Sequence, residues 1–290
     1  MAAPPDATLL VGALSRDIYT GTGLVLPGGG VLNVAWHWRR LGFPFRLVTR
    51  IGRDRPERFT DFLEANGIPY LPRSIVGAGQ SASIDIEILA DRQPHMDHFV
   101  EGVWADFTLT RDESRLLAGA SRLHAVLVEG MVAELHRLGG EGALGHLQVA
   151  ADFLGFRHYT VDRFRETMAH VDVAFVGWPG RSDDPEIAGL RDVAFGGGKL
   201  VVVTFGAQSV VVFDGRRDRS ELVIPVEPVP VAGTTVGCGD AFIAGFLAAF
   251  WSGADVAGAV EHGKERGATA TAWFHPLPDA AYGEALRADA

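Results

Sequence analysis

"VAGTTVGCGDAFIAGFLAAFWSG", residues 231–253, sets the turn G-C-G-D directly before a strongly apolar stretch. From Ala241 to Trp251 the side chains are Phe, Ile, Leu, Ala and Gly with almost no polar face, which predicts a buried helix beginning close to Asp240. The first backbone N–H groups of a helix lack internal partners, and Gly237 and Gly239 let a ligand approach them without side-chain obstruction. Such an end favours an anion, either a phosphate or an oxyanion that develops during a reaction, because the donors and the positive end of the helix dipole both face it. Asp240 sits awkwardly there, since a carboxylate repels an anion. Two readings stand: Asp240 caps the helix and the glycines only shape the turn, or its carboxylate serves something other than the anion.

Working outward from this helix, short apolar runs at Thr8–Leu14, Arg46–Ile51, His124–Glu129, Leu147–Phe153, Val171–Val176 and Leu200–Phe205 read as buried strands. Helix-like stretches lie around Val31–Leu41, Pro56–Asn66, Val161–Ala169 and Ala254–Ala272. This alternation argues for an α/β fold with a mostly parallel sheet covered by helices on both faces, with ligands beyond the strand C-termini. "SASIDIEILADRQ", residues 81–93, differs: it alternates Ile84, Ile86 and Ile88 with Asp85 and Glu87, the pattern of a strand with one wet face in an exposed flap. Its apolar row needs cover from a ligand, from the flap of a second copy or from its own chain. No repeat or linker divides the 290 residues, so a single domain is expected.

The formal net charge of −10 argues against a nucleic-acid partner. Cys238 is the only cysteine, which leaves no intramolecular disulfide or cysteine-cluster metal site and suits a reducing cytoplasm. The opening "MAAPPDATLLVGAL" is apolar for too short a run and lacks a basic leader, so neither export nor a membrane span is expected.

A second glycine cluster, "LPGGGVLNVAWHWRRLG" at 26–42, lacks the G-x-G-x-x-G spacing, and no G-x-x-x-x-G-K-[ST] occurs, which disfavours dinucleotide-binding and P-loop enzymes. It offers instead a glycine turn opening a helix, with Asn33 one turn in, where an amide can donate to and accept from vicinal hydroxyls. Asp17, in "SRDIYTG" after the first strand, is a second hydroxyl acceptor. Taken alone, Asn33 reads more readily as a capping residue and Asp17 as a solvated loop carboxylate.

Together these pieces resemble the ribokinase-like carbohydrate kinases, the PfkB family, from about Val11 to Phe274. The resemblance rests on "PGGGVLNVAWHWRRLG", "TRIGRDRPERFTDFLEANGI", "VVVTFGAQSVVVFDG" and "TTVGCGDAFIAGF", the last with Cys238 in place of the family's usual alanine. "DHFVEGVWADFTLT" is most similar to the fructoselysine 6-kinase branch. The resemblance implies a small β-sheet lid, built here from about 15–29 and 81–103, over a sugar site, with ATP and Mg²⁺ as cofactors. It implies that the N–H groups of Gly237, Cys238 and Gly239 form an anion hole and that Asp240 is the base facing the sugar hydroxyl. Asp17, Gly28, Gly29 and Asn33 match sugar-binding positions, while Thr204, Gly206, Thr235 and His262 match the nucleotide side. Glu101, after the flap, is a candidate acceptor for the ammonium group of an aminated sugar.

The implied activity is ATP-dependent phosphorylation of a sugar hydroxyl, with the 6-hydroxyl of fructoselysine or a related fructosamine as the acceptor. Fructose, ribose or 2-keto-3-deoxygluconate are alternative acceptors, and a noncatalytic sugar-binding pseudokinase is the alternative of another class. A homodimer through the lid is implied as well. Three positions depart from the pattern. Thr234 stands where an aspartate is usual, which leaves monovalent-cation dependence open. "GWPG", 177–180, replaces the usual N-x-x-E, so no metal ligand is named, and Ser209 replaces a common glycine.

Overall fold

The computed structural model describes residues 7–72, 75–156 and 159–286. The first part of the chain forms β1 (Thr8–Val11), β2 (Ser15–Tyr19), β3 (Leu24–Gly28), α1 (Gly30–Leu41), β4 (Arg46–Val48), α2 (Glu57–Ala65), β5 (Ala82–Ile88) and β6 (Pro94–Val100). Then come α3 (Arg111–Ala118), β7 (Arg122–Val126), α4 (Glu129–Gly140), β8 (Gln148–Asp152), α5 (Val161–Met168), β9 (Val173–Gly177), α6 (Pro185–Gly197) and β10 (Leu200–Thr204). The hairpin β11 (Ser209–Asp214) and β12 (Ser220–Pro225) leads to α7 (Cys238–Trp251), α8 (Val256–Ala270) and the short α9 (Asp279–Tyr282).

An eight-stranded sheet runs in the order β12-β11-β10-β9-β8-β7-β1-β4, and a separate four-stranded sheet in the order β3-β2-β5-β6. The pairs β1–β4, β7–β8, β8–β9 and β9–β10 are parallel, whereas β11 pairs antiparallel with both β10 and β12. Parallel neighbours need a crossover, which α4, α5 and α6 supply. This is the mostly parallel sheet expected from the short apolar runs. Leu200 to Val203 are wholly buried, as strands covered on both faces must be.

The chain resolves into two compact units: Met1–Thr8, Arg111–Leu127 and Met131–Pro228 in one, and Leu9–Thr110, Val128–Gly130 and Val229–Ala290 in the other. The second contains the small sheet together with α1 and α7. Here α1 packs on α7, and the indole N–H of Trp38 donates to the Ala244 carbonyl at 3.0 Å. Helices α7 and α8 approach closely enough that a Cβ on Gly245 would lie 2.6 Å from the His262 carbonyl oxygen. The four strands of the small sheet fall within 15–29 and 81–103. β5 is interior to that sheet, so the edge strands are β3 and β6. Ile86 is buried by its own chain, and its burial requires neither a ligand nor a second copy.

Candidate active site

The register of the small sheet determines which side chains face inward. Ser15, Asp17 and Tyr19 alternate along β2 and are all buried, whereas Arg16 and Ile18 on the opposite face are half-buried. Asp17 lies across Gly28: a Cβ there would meet the Asp17 carboxylate oxygen Oδ2 at 2.0 Å, so only glycine leaves the room. The Ser15 hydroxyl donates to Asp17 Oδ1 at 2.6 Å, and the Gly29 N–H donates to the same carboxylate. Burial pushes the Asp17 carboxyl up to about 7; the Ser15 bond opposes this and the charge of Asp240 adds to it.

Helix α1 starts from Gly29, at φ 102, and has no side-chain cap. Asn33, on its first turn, donates from Nδ2 to Asp240 Oδ2 at 2.8 Å. Helix α7 starts from Gly237, at φ 77, also without a side-chain cap. The helix therefore begins at Cys238, and Asp240 is its third residue rather than its cap. This corrects the reading of Asp240 as N-cap: Gly237 occupies that place in a conformation an L side chain rarely adopts, and the carboxylate is engaged by α1. Burial raises the Asp240 carboxyl to about 6, and the Asn33 bond holds it down. At neutral pH it is the more readily ionised of the two acids. Burial and the neighbouring Asp240 push the Cys238 thiol up to about 12, so it stays protonated and is no nucleophile.

A Cβ on Gly239 would meet nothing within 4 Å. Packing does not demand glycine there, since a Cβ would meet open space. The segment leading into this turn is held by the β5–β6 hairpin. Arg92 donates from Nη1 to the Ala232 and Gly233 carbonyls at 2.7 and 2.9 Å, and the Thr235 hydroxyl donates to Gln93 Oε1 at 2.7 Å. Thr234, wholly buried, donates from its hydroxyl to the Phe274 carbonyl at 2.9 Å and accepts from Val236 N–H at 3.3 Å. Where the family pattern has an aspartate, this residue ties its loop to the segment that follows α8.

Asp17, Gly28, Gly29, Asn33, Thr235 and Gly237 to Asp240 thus all belong to one compact unit, and hydrogen bonds join its two glycine turns. Other expected site residues lie elsewhere. Glu101 follows β6 and accepts from Gly130 N–H at 3.4 Å, while His262 on α8 lies 3.8 Å from Glu265. Thr204 and Gly206 belong to the other unit, where Thr204 ends β10 and Gly206, at φ 58, turns the chain toward β11. Ser209 begins β11 and closes the same turn, its carbonyl accepting from Phe205 N–H at 2.9 Å. Trp178, in the "GWPG" stretch, donates from its backbone N–H to the Thr204 carbonyl at 2.9 Å and from its indole to Asp184 at 2.8 Å. Among the described residues no group of three or more His, Cys, Asp or Glu is placed to hold a metal ion.

Sequence reasoning missed Ser15, the Arg92–Gln93 hairpin tip and two tyrosines, Tyr19 and Tyr282. Tyr19 was legible in principle, two residues after Asp17 and so on the same face of any strand. Tyr282 carries no local signal.

The profile of the pfkB family carbohydrate kinases matches residues 158–272. Fructoselysine 6-kinase from Escherichia coli K12 is 28% identical over 251 residues, covering 85% of this chain and 90% of that protein. Cytidine kinase from Thermococcus kodakarensis is 28% identical over 278 residues, covering 89% and 93%. Ribokinase from Giardia lamblia superposes with TM-score 0.76 at 13% identity, covering 97% of this chain and 100% of that one. The fold is ribokinase-like, and the chain is an ATP-dependent kinase acting on a sugar or a nucleoside. Over residues 158–272 it is similar to the pfkB family of carbohydrate kinases. Among the described residues no helix is long and apolar enough to cross a membrane.

Proposed function

We propose that the chain transfers the γ-phosphoryl group of ATP to a sugar hydroxyl held under the four-stranded sheet, with the 6-hydroxyl of fructoselysine or a related fructosamine as the acceptor. The observation that carries this reading is the Asn33–Asp240 bond, which holds an ionisable carboxylate one turn into a helix whose first N–H groups no side chain caps. Asp240 takes the proton of the attacking hydroxyl; with its carboxyl near 6 it is ionised at pH 7 yet basic enough to act. The N–H groups of Gly237, Cys238 and Gly239 and the helix dipole stabilise the negative charge on the transferring group. Phosphoryl transfer is loose, so this positioning and charge stabilisation supply most of the catalysis, and no covalent intermediate is needed. Asp17 accepts from a second sugar hydroxyl. Thr204, Gly206, Thr235 and His262 are assigned to the nucleotide, and Glu101 to the ammonium group of an aminated acceptor. An ATP-using sugar kinase of this kind works in the cytoplasm.

The test is ATP consumption with fructoselysine, fructose, ribose, 2-keto-3-deoxygluconate and cytidine. Fructoselysine-dependent turnover above the others supports the assignment. Turnover with cytidine alone replaces the acceptor, and binding of sugars without turnover makes the chain a pseudokinase. We also propose that two copies pair through the lid, along the free edge of β6, where Met96, Phe99 and Val100 are exposed. Light scattering across a dilution series on the parent and Phe99→Lys tests this; a monomeric parent removes it.

A further inference from the structure

Among the polar atoms of the sugar-side unit sealed from solvent, the Tyr19 hydroxyl and Asn33 Oδ1 have no hydrogen-bond partner in the chain, and the Tyr282 hydroxyl, equally sealed, has the Leu277 backbone beside it. An unpartnered buried hydroxyl costs about 1–3 kcal/mol, and each such group in a folded protein calls for a reason. Ring packing does not provide one. Tyr19 meets His275 edge to face at 5.1 Å, His275 meets Tyr282 at 5.9 Å, and Phe62 lies 5.6 Å from Tyr282. Phenylalanine at either position would make the same ring contacts.

The location supplies the reason. Tyr19 shares the buried face of β2 with Ser15 and Asp17. Tyr282 arrives from α9, pinned where Asn66 donates from Nδ2 to the Ala281 carbonyl at 2.9 Å. The charge of Asp17 acts on both phenols, and that of Asp240 on Tyr282, which places them in the same electrostatic neighbourhood as the two acids. The inventory of hydrogen-bonding groups is otherwise lopsided. Asp17 and Asp240 when ionised, and Asn33 Oδ1, only accept, while the nearby donors, the Ser15 hydroxyl and Asn33 Nδ2, are already used by those carboxylates. A polyol brings hydroxyls that donate to the acids and also need something to accept from.

We propose that Tyr19 and Tyr282 are substrate-binding, specificity-determining residues whose phenol hydroxyls donate to the non-reacting hydroxyls of the sugar. They complete its hydrogen bonding opposite Asp17 and Asn33 and discriminate against acceptors lacking those hydroxyls. This rests on the sugar-kinase reading above. It assigns the C-terminal segment a direct part in the site.

The test combines melting temperatures with calorimetric binding of fructoselysine, D-fructose and a nonhydrolysable ATP analogue to the parent, Tyr282→Phe and Tyr19→Phe. Removing an unsatisfied hydroxyl should leave the melting temperature of the free protein unchanged or raised. Each variant should bind sugar roughly 3- to 10-fold more weakly, the range for one hydrogen bond, and bind the ATP analogue as the parent does. The penalty should vanish for the deoxyfructose that lacks the contacted hydroxyl. Sugar affinity unchanged in both variants, with the parent binding sugar, overturns this inference alone. A lowered melting temperature with equal losses for sugar and nucleotide also overturns it, since the phenols would then be structural. A parent that binds the nucleotide analogue and no sugar overturns the proposed acceptor class and this inference together.

Discussion

Four helix starts divide the molecule into two kinds. At α5 the Thr160 hydroxyl accepts from Arg163 N–H at 3.2 Å, and at α8 the Asp255 carboxylate accepts from Gly258 N–H at 2.8 Å. Both are ordinary caps that satisfy donors a helix cannot satisfy itself. At α1 and α7 the cap is a glycine at positive φ and no side chain accepts. At these two starts a residue inside the first turn instead reaches across to the other helix, Asn33 to Asp240. A capped start satisfies a donor with its own side chain; at α7 the Cys238 N–H goes instead to the Thr235 carbonyl at 3.3 Å, and no side chain caps the turn.

The largest expected effect comes from Asp240→Asn, which should lower turnover roughly 10²-fold or more while sugar affinity stays within a few-fold. In the parent, kcat/KM should fall as pH drops through about 6, because protonation removes the base. A variant that turns over at the parental rate would make α7 an ordinary helix start. Next, Asp17→Ala should weaken sugar binding by roughly 10- to 100-fold, the loss of a charge-assisted bond, with ATP-analogue binding unchanged. Equal loss for both ligands would point to general destabilisation.

Asp17 also carries a stability signature. Its folded carboxyl holds a proton up to about 7, whereas an unfolded aspartate loses it near 3.8. The contribution is therefore fully present below about 3.8 and is lost as pH rises toward 7. Asp17→Asn should match the parent in melting temperature at pH 4 and exceed it progressively by pH 8, and parallel melting curves would contradict this assignment of strain to the site.

Gly239→Ala sharpens the same contrast. A Cβ there touches nothing, and alanine favours a helix over glycine by about 1 kcal/mol, so the free protein should melt no lower than the parent. Turnover should nonetheless drop roughly tenfold, because a methyl group there obstructs an anion approaching the first-turn N–H groups. Retained turnover would show that this approach is not used. The smallest effect on activity belongs to the capped starts: Asp255→Ala should cost about 1 kcal/mol of stability and leave kcat/KM unchanged. A loss of activity without a loss of stability would erase the distinction between the two kinds of start.

The parts of this architecture that were legible share one property, concentrated burial. β9 and β10 are nearly continuous apolar runs, β1, β4, β7 and β8 are short and mainly apolar, and α7 is apolar nearly all round, so composition announces them. β2, β3 and β6 were not resolved as separate strands. "SRDIY" and "PHMDHFV" mix polar and apolar residues, and β6 is exposed along nearly its whole length, so no inward face writes a period into the sequence. The Arg92 contacts escaped for a different reason: they join residues 140 positions apart through backbone carbonyls, which every residue possesses.

The sequence by itself determined the alternating α/β order and the two glycine turns, because these rest on residue types whose conformational properties are local, while the grouping of Asp17 and Asn33 with a distant G-C-G-D came from the family resemblance. Tertiary structure alone decided that Asp240 is a helix residue held by Asn33 and not a cap, that Ile86 is covered by its own chain, and that Tyr19, His275 and Tyr282 assemble beside Asp17. Each depends on which groups meet across long separations in the chain, where burial shifts a carboxyl by several units and leaves a hydroxyl without a partner.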